Sequence, residues 1–227
     1  VFNKGVTTIT WTVSDAAGNT SSCSLNVTVN DDDAPSVSCP SDKIRGTNAP
    51  ACTYTAVGTE FNPASSSDNC GVTSTTYALS GVTSGSGSTT LAGVVFNKGV
   101  TTVTWTVSDA AGNTASCSFT VTVNDDDPPI PTCEAAQNVS LTNLCLLIVP
   151  NVIDGSSATD NCSSSFTWSQ SPAAGTLMAS GEGVMHTVTV TVSDGNGNSS
   201  TCTVKLTGDD TTPPVPTCEG PQTIVLN

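Results

Sequence analysis

Apolar and polar residues alternate with a period of two over long stretches of this chain. In Thr8–Ser14, Ile9, Trp11 and Val13 alternate with threonines, and the pattern returns as Val103, Trp105, Val107 and as Val188, Val190, Val192. The segment after each alternates too: Cys23, Leu25, Val27, Val29; then Cys117, Phe119, Val121, Val123; then Cys202, Val204, Leu206. Successive side chains of a strand point to opposite faces, so each segment predicts a strand with one buried and one wet face. Between the members of each pair lies SDAAGNT or SDGNGNS, which supplies the Asp, Asn and Gly that a tight hairpin loop needs.

Weaker strand signals precede each pair. Ala34–Cys39 and Pro128–Cys133 read as proline-marked edge strands, because proline removes a ladder donor. Ala51–Thr59, Leu144–Ile153, Val72–Ala78 and Ser165–Ser169 read as further strands, and the Gly/Ser-rich Ser80–Ser88 as a loop. No stretch has helical periodicity. About seven short strands in fewer than a hundred residues predict an all-β fold of tandem immunoglobulin-like sandwiches.

The unit of repetition is visible directly. Val95–Pro129 repeats Val1–Pro35 almost residue for residue at a displacement of 95 − 1 = 94, and a worn copy occupies Met185–Pro214. Such periodicity marks an array of modules. On this register, residues 1–33 are the C-terminal part of one module, 34–127 and 128–210 are complete modules, and 211–227 opens another.

Charge narrows the partners. Five Lys and Arg against nineteen Asp and Glu give a formal net charge of −14, the opposite of what a phosphate-tracking surface requires. Nucleic acid is therefore not an expected partner. No apolar run approaches the length of a membrane span, so direct membrane insertion is not expected either. Ten cysteines, without a CxxC pair, read as a disulfide framework of an extracellular protein.

The combination of Cys39-Pro40, the DNCG at Asp68–Gly71, the strand pair Thr101–Val123 and the closing Asp-Asp-Asp-Pro-Pro resembles the hyalin repeat, or HYR, module. The resemblance spans nearly the whole chain. Cys133–Asn138, CEAAQN, departs from the opening Cys-Pro, and Val190 stands where the pattern has tryptophan. The resemblance implies an immunoglobulin-like extracellular module of adhesive or matrix proteins, including large surface proteins of Bacteroidota.

Two disulfide schemes fit the spacing. Cys23–Cys39, Cys117–Cys133 and Cys202–Cys218 share an interval of 16 residues across each linker. An extended segment of that length spans on the order of 50 Å, whereas a disulfide holds Cα atoms within about 7 Å. In a sandwich whose first and last strands run parallel, the preferred set is Cys39–Cys117, Cys52–Cys70, Cys133–Cys202 and Cys145–Cys162, which leaves Cys23 and Cys218 for partners elsewhere.

The acids are the candidate chemistry. Thirteen of fifteen aspartates lie in recurring motifs. Adjacent carboxylates repel one another, a cost that a bound cation reverses, and calcium takes six to eight oxygen ligands in flexible geometry. The topology is expected to bring Asp31, Asp32 and Asp33 to Asp68, Asn69, Asp109 and Asn113, and Asp125, Asp126 and Asp127 to Asp160, Asn161, Asp194, Asn196 and Asn198. NDDDAP also resembles the inter-domain calcium linker of cadherins. The plain alternative is that these groups cap turns and solvate a spacer. Trp11 and Trp105 read as core residues.

Enzyme chemistry finds no footing. His186 is the single histidine, and Glu60, Glu134, Glu182 and Glu219 stand apart in the sequence, so no acid–base pair recurs with the repeat. The expected function is a non-catalytic structural or adhesive repeat of an extracellular filament or surface adhesin with calcium-stiffened junctions. Its expected partners are neighbouring repeats, by self-assembly into fibres, and surface glycans or proteins. The alternatives are a glycan- or protein-recognition module and an accessory region of a large secreted enzyme.

Overall fold

The computed structural model describes residues 1–217 and Gly220. The first-strand segment expected at 211–227, with Cys218, lies largely outside the described residues. The chain divides into two compact units, Val1–Asp125 and Asp126–Asn227. All regular structure among the described residues is β-strand, arranged as immunoglobulin-like sandwiches.

The first unit contains β1 (Gly5–Ser14), β2 (Thr20–Val29), β3 (Ser36–Ser38), β4 (Lys43–Gly46), β5 (Thr53–Thr55), β6 (Ser65–Ser67), β7 (Val72–Gly81), β8 (Gly85–Ser88), β9 (Val95–Asn97), β10 (Gly99–Asp109) and β11 (Thr114–Asn124). Its main sheet runs in the order β4-β11-β10-β7-β8. Every pair is antiparallel except β4, which lies parallel to β11. The ribbons β3–β6 and β5–β9 supply the second layer. In the hairpin between β10 and β11, Gly112 adopts φ 96°, a conformation that a side chain would disfavour.

Alternation along β10 and β11 decides the core. Val103, Trp105, Val107, Phe119, Val121 and Val123 are buried, and all but Val107 pack with Ala56, Phe61, Leu79, Leu91 and Phe96. The Trp105 indole N–H donates to Phe61 O at 2.8 Å, and Tyr77 meets the Trp105 ring edge-on at 5.3 Å between centroids. Glu60 is tied structurally: Arg45 Nη2 and Nε donate to its Oε2 at 2.7 and 3.0 Å, and Tyr54 OH donates to Oε1 at 2.7 Å.

The second unit repeats the plan with β12 (Ile130–Thr132), β13 (Gln137–Ser140), β14 (Leu146–Ile148), β15 (Ser157–Thr159), β16 (Thr167–Ser171), β17 (Leu177–Ala179), β18 (Met185–Ser193) and β19 (Ser199–Asp209). Its main sheet is β13-β19-β18-β16, with β13 parallel to β19. Val188, Val190, Val204 and Leu206 pack with Leu141, Leu147, Val149 and Val152. Cys39 is bonded to Cys117 and Cys133 to Cys202, with Cα separations of 5.7 and 5.8 Å. Closing loops of 78 and 69 residues stabilises each module by about 4.5 kcal/mol in the chain-entropy treatment.

Several expectations need correction. Ser80–Ser88, read as a loop, holds the end of β7 and all of β8, and β4 and β13 carry no alternation that announces them. Trp11, read as core, is 53 % exposed while its repeat partner Trp105 is 0 % exposed. The β1–β2 hairpin pairs in the register of β10–β11, but among the described residues no second sheet covers it. The expected bridges Cys52–Cys70 and Cys145–Cys162 do not form. Cys70 and Cys145 are free thiols, while Cys52 and Cys162 are both disulfide-bonded.

The reason is strand length. Cys52 precedes β5, where Thr53 faces Asn97 at the Gly99 end of β10, whereas Cys70 precedes Val72, which faces Asp109 at the other end. Eleven extended residues separate those ends by on the order of 30 Å, far beyond disulfide reach. Likewise Cys145 lies at the Met185 end of β18, beside Ser180, and Cys162 at the Ser193 end, beside Asp194.

Truncation of the two tryptophans separates burial from sequence. Trp105→Ala costs about 3–5 kcal/mol, and Trp11→Ala less than about 0.5 kcal/mol, measured by urea unfolding followed by circular dichroism. Equal losses would contradict the placement of the two rings.

Candidate cation site at the module pole

The buried row of β10 runs Thr101, Val103, Trp105, Val107 and ends on Asp109. The same parity that points valines into the core therefore points a carboxylate inward at the pole. Asp194 ends the buried row of Val188, Val190 and Val192 in the same way, and Asp125 follows Val121 and Val123.

Three acids converge at the pole of the first unit. Asp31, Asp68 and Asp109 each offer a carboxylate oxygen, and these atoms lie within 4.8 Å of one another. Asp109 Oδ1 accepts the amides of Ala111, Gly112 and Asn113 at 2.7–2.9 Å, and Oδ2 accepts Asn113 Nδ2 at 2.8 Å. Burial pushes the Asp109 carboxyl up, but these donors outweigh it and hold it below its ordinary value. Asp68 Oδ2 accepts the amides of Cys70 and Gly71 at 2.7 and 2.9 Å. Asn113 Nδ2 also reaches the Asp31 carbonyl at 3.2 Å, which ties the linker to the hairpin loop.

Among the described residues, Lys4 is the cation paired with this cluster. Its Nζ sits 2.8 Å from Asp31 Oδ2, and this hydrogen bond raises the lysine above its ordinary range. The Asp31 side chain is 1 % exposed, yet its Oδ1 has no hydrogen-bond partner, and neither has the buried Asp68 Oδ1. Buried carboxylate oxygens without donors are costly, and a hard cation with oxygen preference removes that cost. The donor set therefore fits calcium, with one ammonium opposing three carboxylates.

The other expected residues sort as follows. Asn69 Nδ2 donates to Asp33 Oδ2 at 2.7 Å, outside the three-acid cluster, and Asp32 is exposed. In the second unit Asn161 Nδ2 donates to Asp127 Oδ2 at 2.7 Å, and Asp160 Oδ1 accepts the amides of Cys162 and Ser163 at 2.8 and 2.7 Å. Asp160 Oδ2 is buried without a partner. Asp194 accepts Asn196 N, Asn198 N and Asn198 Nδ2 at 2.7–3.1 Å, while Asn196 Nδ2 donates to Ser163 Oγ at 2.9 Å. In the first unit Asp125 is buried, with Lys98 Nζ 3.4 Å from Oδ2; Asp126, which opens the second unit, is exposed.

Lys4 and Lys98 escaped the sequence reading. Their signal was present: NKG recurs, and each lysine precedes its aspartate by the same interval, 31 − 4 and 125 − 98 both being 27. In a chain with five Lys and Arg, two at a fixed offset from an acidic run mark a pairing.

Because the folded Asp109 carboxyl lies below its model-peptide value of 3.8, the stability it contributes is fully present above that value and is lost as pH falls through the folded one. The difference in thermal unfolding temperature between the native chain and Asp109→Asn is thus expected to be full at neutral pH and to shrink in acid. A difference that is constant with pH would sink this reading.

Comparison with known proteins places this geometry. Residues 30–123 match the HYR domain family. Hyalin of Lytechinus variegatus is 30 % identical over 223 residues, covering 96 % of this chain, and the chain spans 40 % of that relative's length. Among solved structures, Drosophila N-cadherin EC1-4 is similar at 16 % identity and TM-score 0.41, covering 83 % of this chain and 52 % of that one. Protocadherin Gamma B2 extracellular cadherin domains 3-6 is similar at 18 % identity and TM-score 0.42, covering 90 % and 60 %. Residues 30–123 are thus an HYR domain, in an all-β, disulfide-stapled extracellular protein that is similar to hyalin along most of its length.

Proposed function

We propose that this chain is a non-catalytic adhesive or structural segment of an extracellular filament or surface adhesin, and that calcium bound at the module pole stiffens it. The observation that carries the calcium reading is the three-acid pole: two buried oxygens, on Asp31 and Asp68, lack donors beside the Asp109 carboxylate. Calcium there links the linker acid Asp31 to the loop that holds Asp68 and to the end of β10 at Asp109. Asp160 and Asp194 hold the equivalent places in the second unit. The modules bounded at 34–127 and 128–210 then act as repeated struts, with neighbouring repeats as the primary partners. Glu60, held by Arg45 and Tyr54, is occupied structurally, which favours a strut over an enzyme.

Calcium titration by calorimetry on the full chain, with thermal unfolding in calcium and in chelator, tests this reading. Saturable binding that raises the unfolding temperature is expected, equivalent to about 2.7 kcal/mol at a hundredfold excess over Kd. Asp31→Asn and Asp68→Asn should lower the stoichiometry, whereas Asp154→Asn, outside the motifs, should not. Absence of binding at millimolar calcium would make the acidic linkers solvated spacers.

A further inference from the structure

The ammonium at the pole of the first unit sits on the acid that the linker brings to the other two. Lys4 Nζ lies 2.8 Å from Asp31 Oδ2, while Asp31 Oδ1, in a side chain 1 % exposed, meets no donor beside Asp68 and Asp109. Asp109 is capped at both oxygens by the hairpin amides and Asn113 Nδ2, and Asp68 spends one oxygen on the amides of Cys70 and Gly71. Lys4 therefore takes the pole from three negative charges to two. Desolvation pushes the Cys70 thiol beside Asp31 up, so it is uncharged at neutral pH and leaves that balance alone. The contact is built twice in this unit: Lys98 Nζ lies 3.4 Å from Asp125 Oδ2, at the same interval of 27 residues.

We propose that Lys4 is a resident counter-ion that competes with calcium for the Asp31 carboxylate and so sets the calcium affinity of this pole, which rests on the calcium reading above and adds what limits it. The affinity of an oxygen site for calcium follows the number of charged ligands and the rigidity of the cage. If Asp31 gives both oxygens to calcium, the ammonium must leave; if it gives only Oδ1, a positive charge stays beside a divalent ion. Either way the lysine opposes binding. Without calcium the same ammonium offsets the repulsion of Asp31 by Asp68 and Asp109, so the linker acid stays docked in the empty state. The outcome is a pole that fills only where calcium is abundant, in the range of roughly 0.1–1 mM typical of extracellular modules.

Calcium titration by calorimetry on the full chain, with thermal unfolding in calcium and in chelator, tests the role of the lysine. At the site that Asp31→Asn removes, Lys4→Met should bind calcium about tenfold more tightly than the parent, the effect of removing one nearby charge at the water-screened end of Coulomb's law. Lys4→Gln, neutral but still a donor, should gain likewise, and Lys4→Arg should not gain. Lys43→Met changes the net charge equally but lies on β4 opposite Val121, away from the hairpin loop, and should leave the affinity as it is. Adding Asp31→Asn to Lys4→Met should abolish the gain. In chelator Lys4→Met should unfold at a lower temperature than the parent, and calcium should raise it by more.

An unchanged affinity in Lys4→Met, with unfolding lowered equally in calcium and in chelator, would make the lysine a brace of the fold and overturn the proposal. A gain of the same size in Lys43→Met would overturn it too, by assigning the effect to net charge. Calcium bound by Lys4→Met but not by the parent would sustain the competition and remove calcium stiffening from the native chain. Absence of binding by every chain would remove both.

Discussion

Trp105 stands where the two layers of the first module meet, and most of that module is arranged around it. Its ring fills the space between the β10–β11 ribbon and the Phe61–Phe96 side, and its N–H satisfies the Phe61 carbonyl. Cys117 faces it across the ladder, so the Cys39–Cys117 bond is anchored beside the largest buried side chain. A buried indole without an acceptor would cost free energy, so this bond ties the Phe61 loop to the strand. In the second module Val190 takes the tryptophan's place, and the cross-layer tie passes to Gln170 on β16. Gln170 accepts the Val152 amide at 3.0 Å and donates to Pro150 O at 2.9 Å. The polar link between layers is kept while the residue that makes it changes.

The acidic pole follows from the same pleat. A strand that buries every second residue carries that parity to its end, and the buried position is aspartate at the end of β10 and just past the end of β18. The hairpin amides and Asn113 or Asn198 absorb part of the charge. Asp31 then arrives with its own carboxylate, and Lys4 neutralises only one of the three. Turn capping, the plain reading of these motifs, accounts for Asp109 and for one oxygen of Asp68. It does not account for Asp31 Oδ1 and Asp68 Oδ1, which face no donor.

Much of the architecture was legible because alternation is a local property. The hairpins β10–β11 and β18–β19, their loops and the repeat register follow from which residues are apolar at a spacing of two. The site residues were legible in kind, since recurring Asp and Asn motifs announce themselves in so acidic a chain. Lys4 went unread although its interval to Asp31 repeats, because single lysines on a surface ordinarily signify only solubility. The four-residue strands β4 and β13 pair in parallel through backbone groups that no side-chain pattern reports.

The sequence by itself determined the strands, their faces and the modular period, since these depend on the pleat and on near neighbours. Tertiary structure alone decided which faces are covered and which groups meet. Val1–Pro35 and Val95–Pro129 are nearly the same string, yet Trp11 is exposed and Trp105 enclosed, because among the described residues a second sheet lies over only one of them. The polar cysteines show the same division. Their spacing suggested bridges within each module, but a strand's length separates Cys52 from Cys70 and Cys145 from Cys162, and a distance of that kind emerges only once the strands are laid side by side.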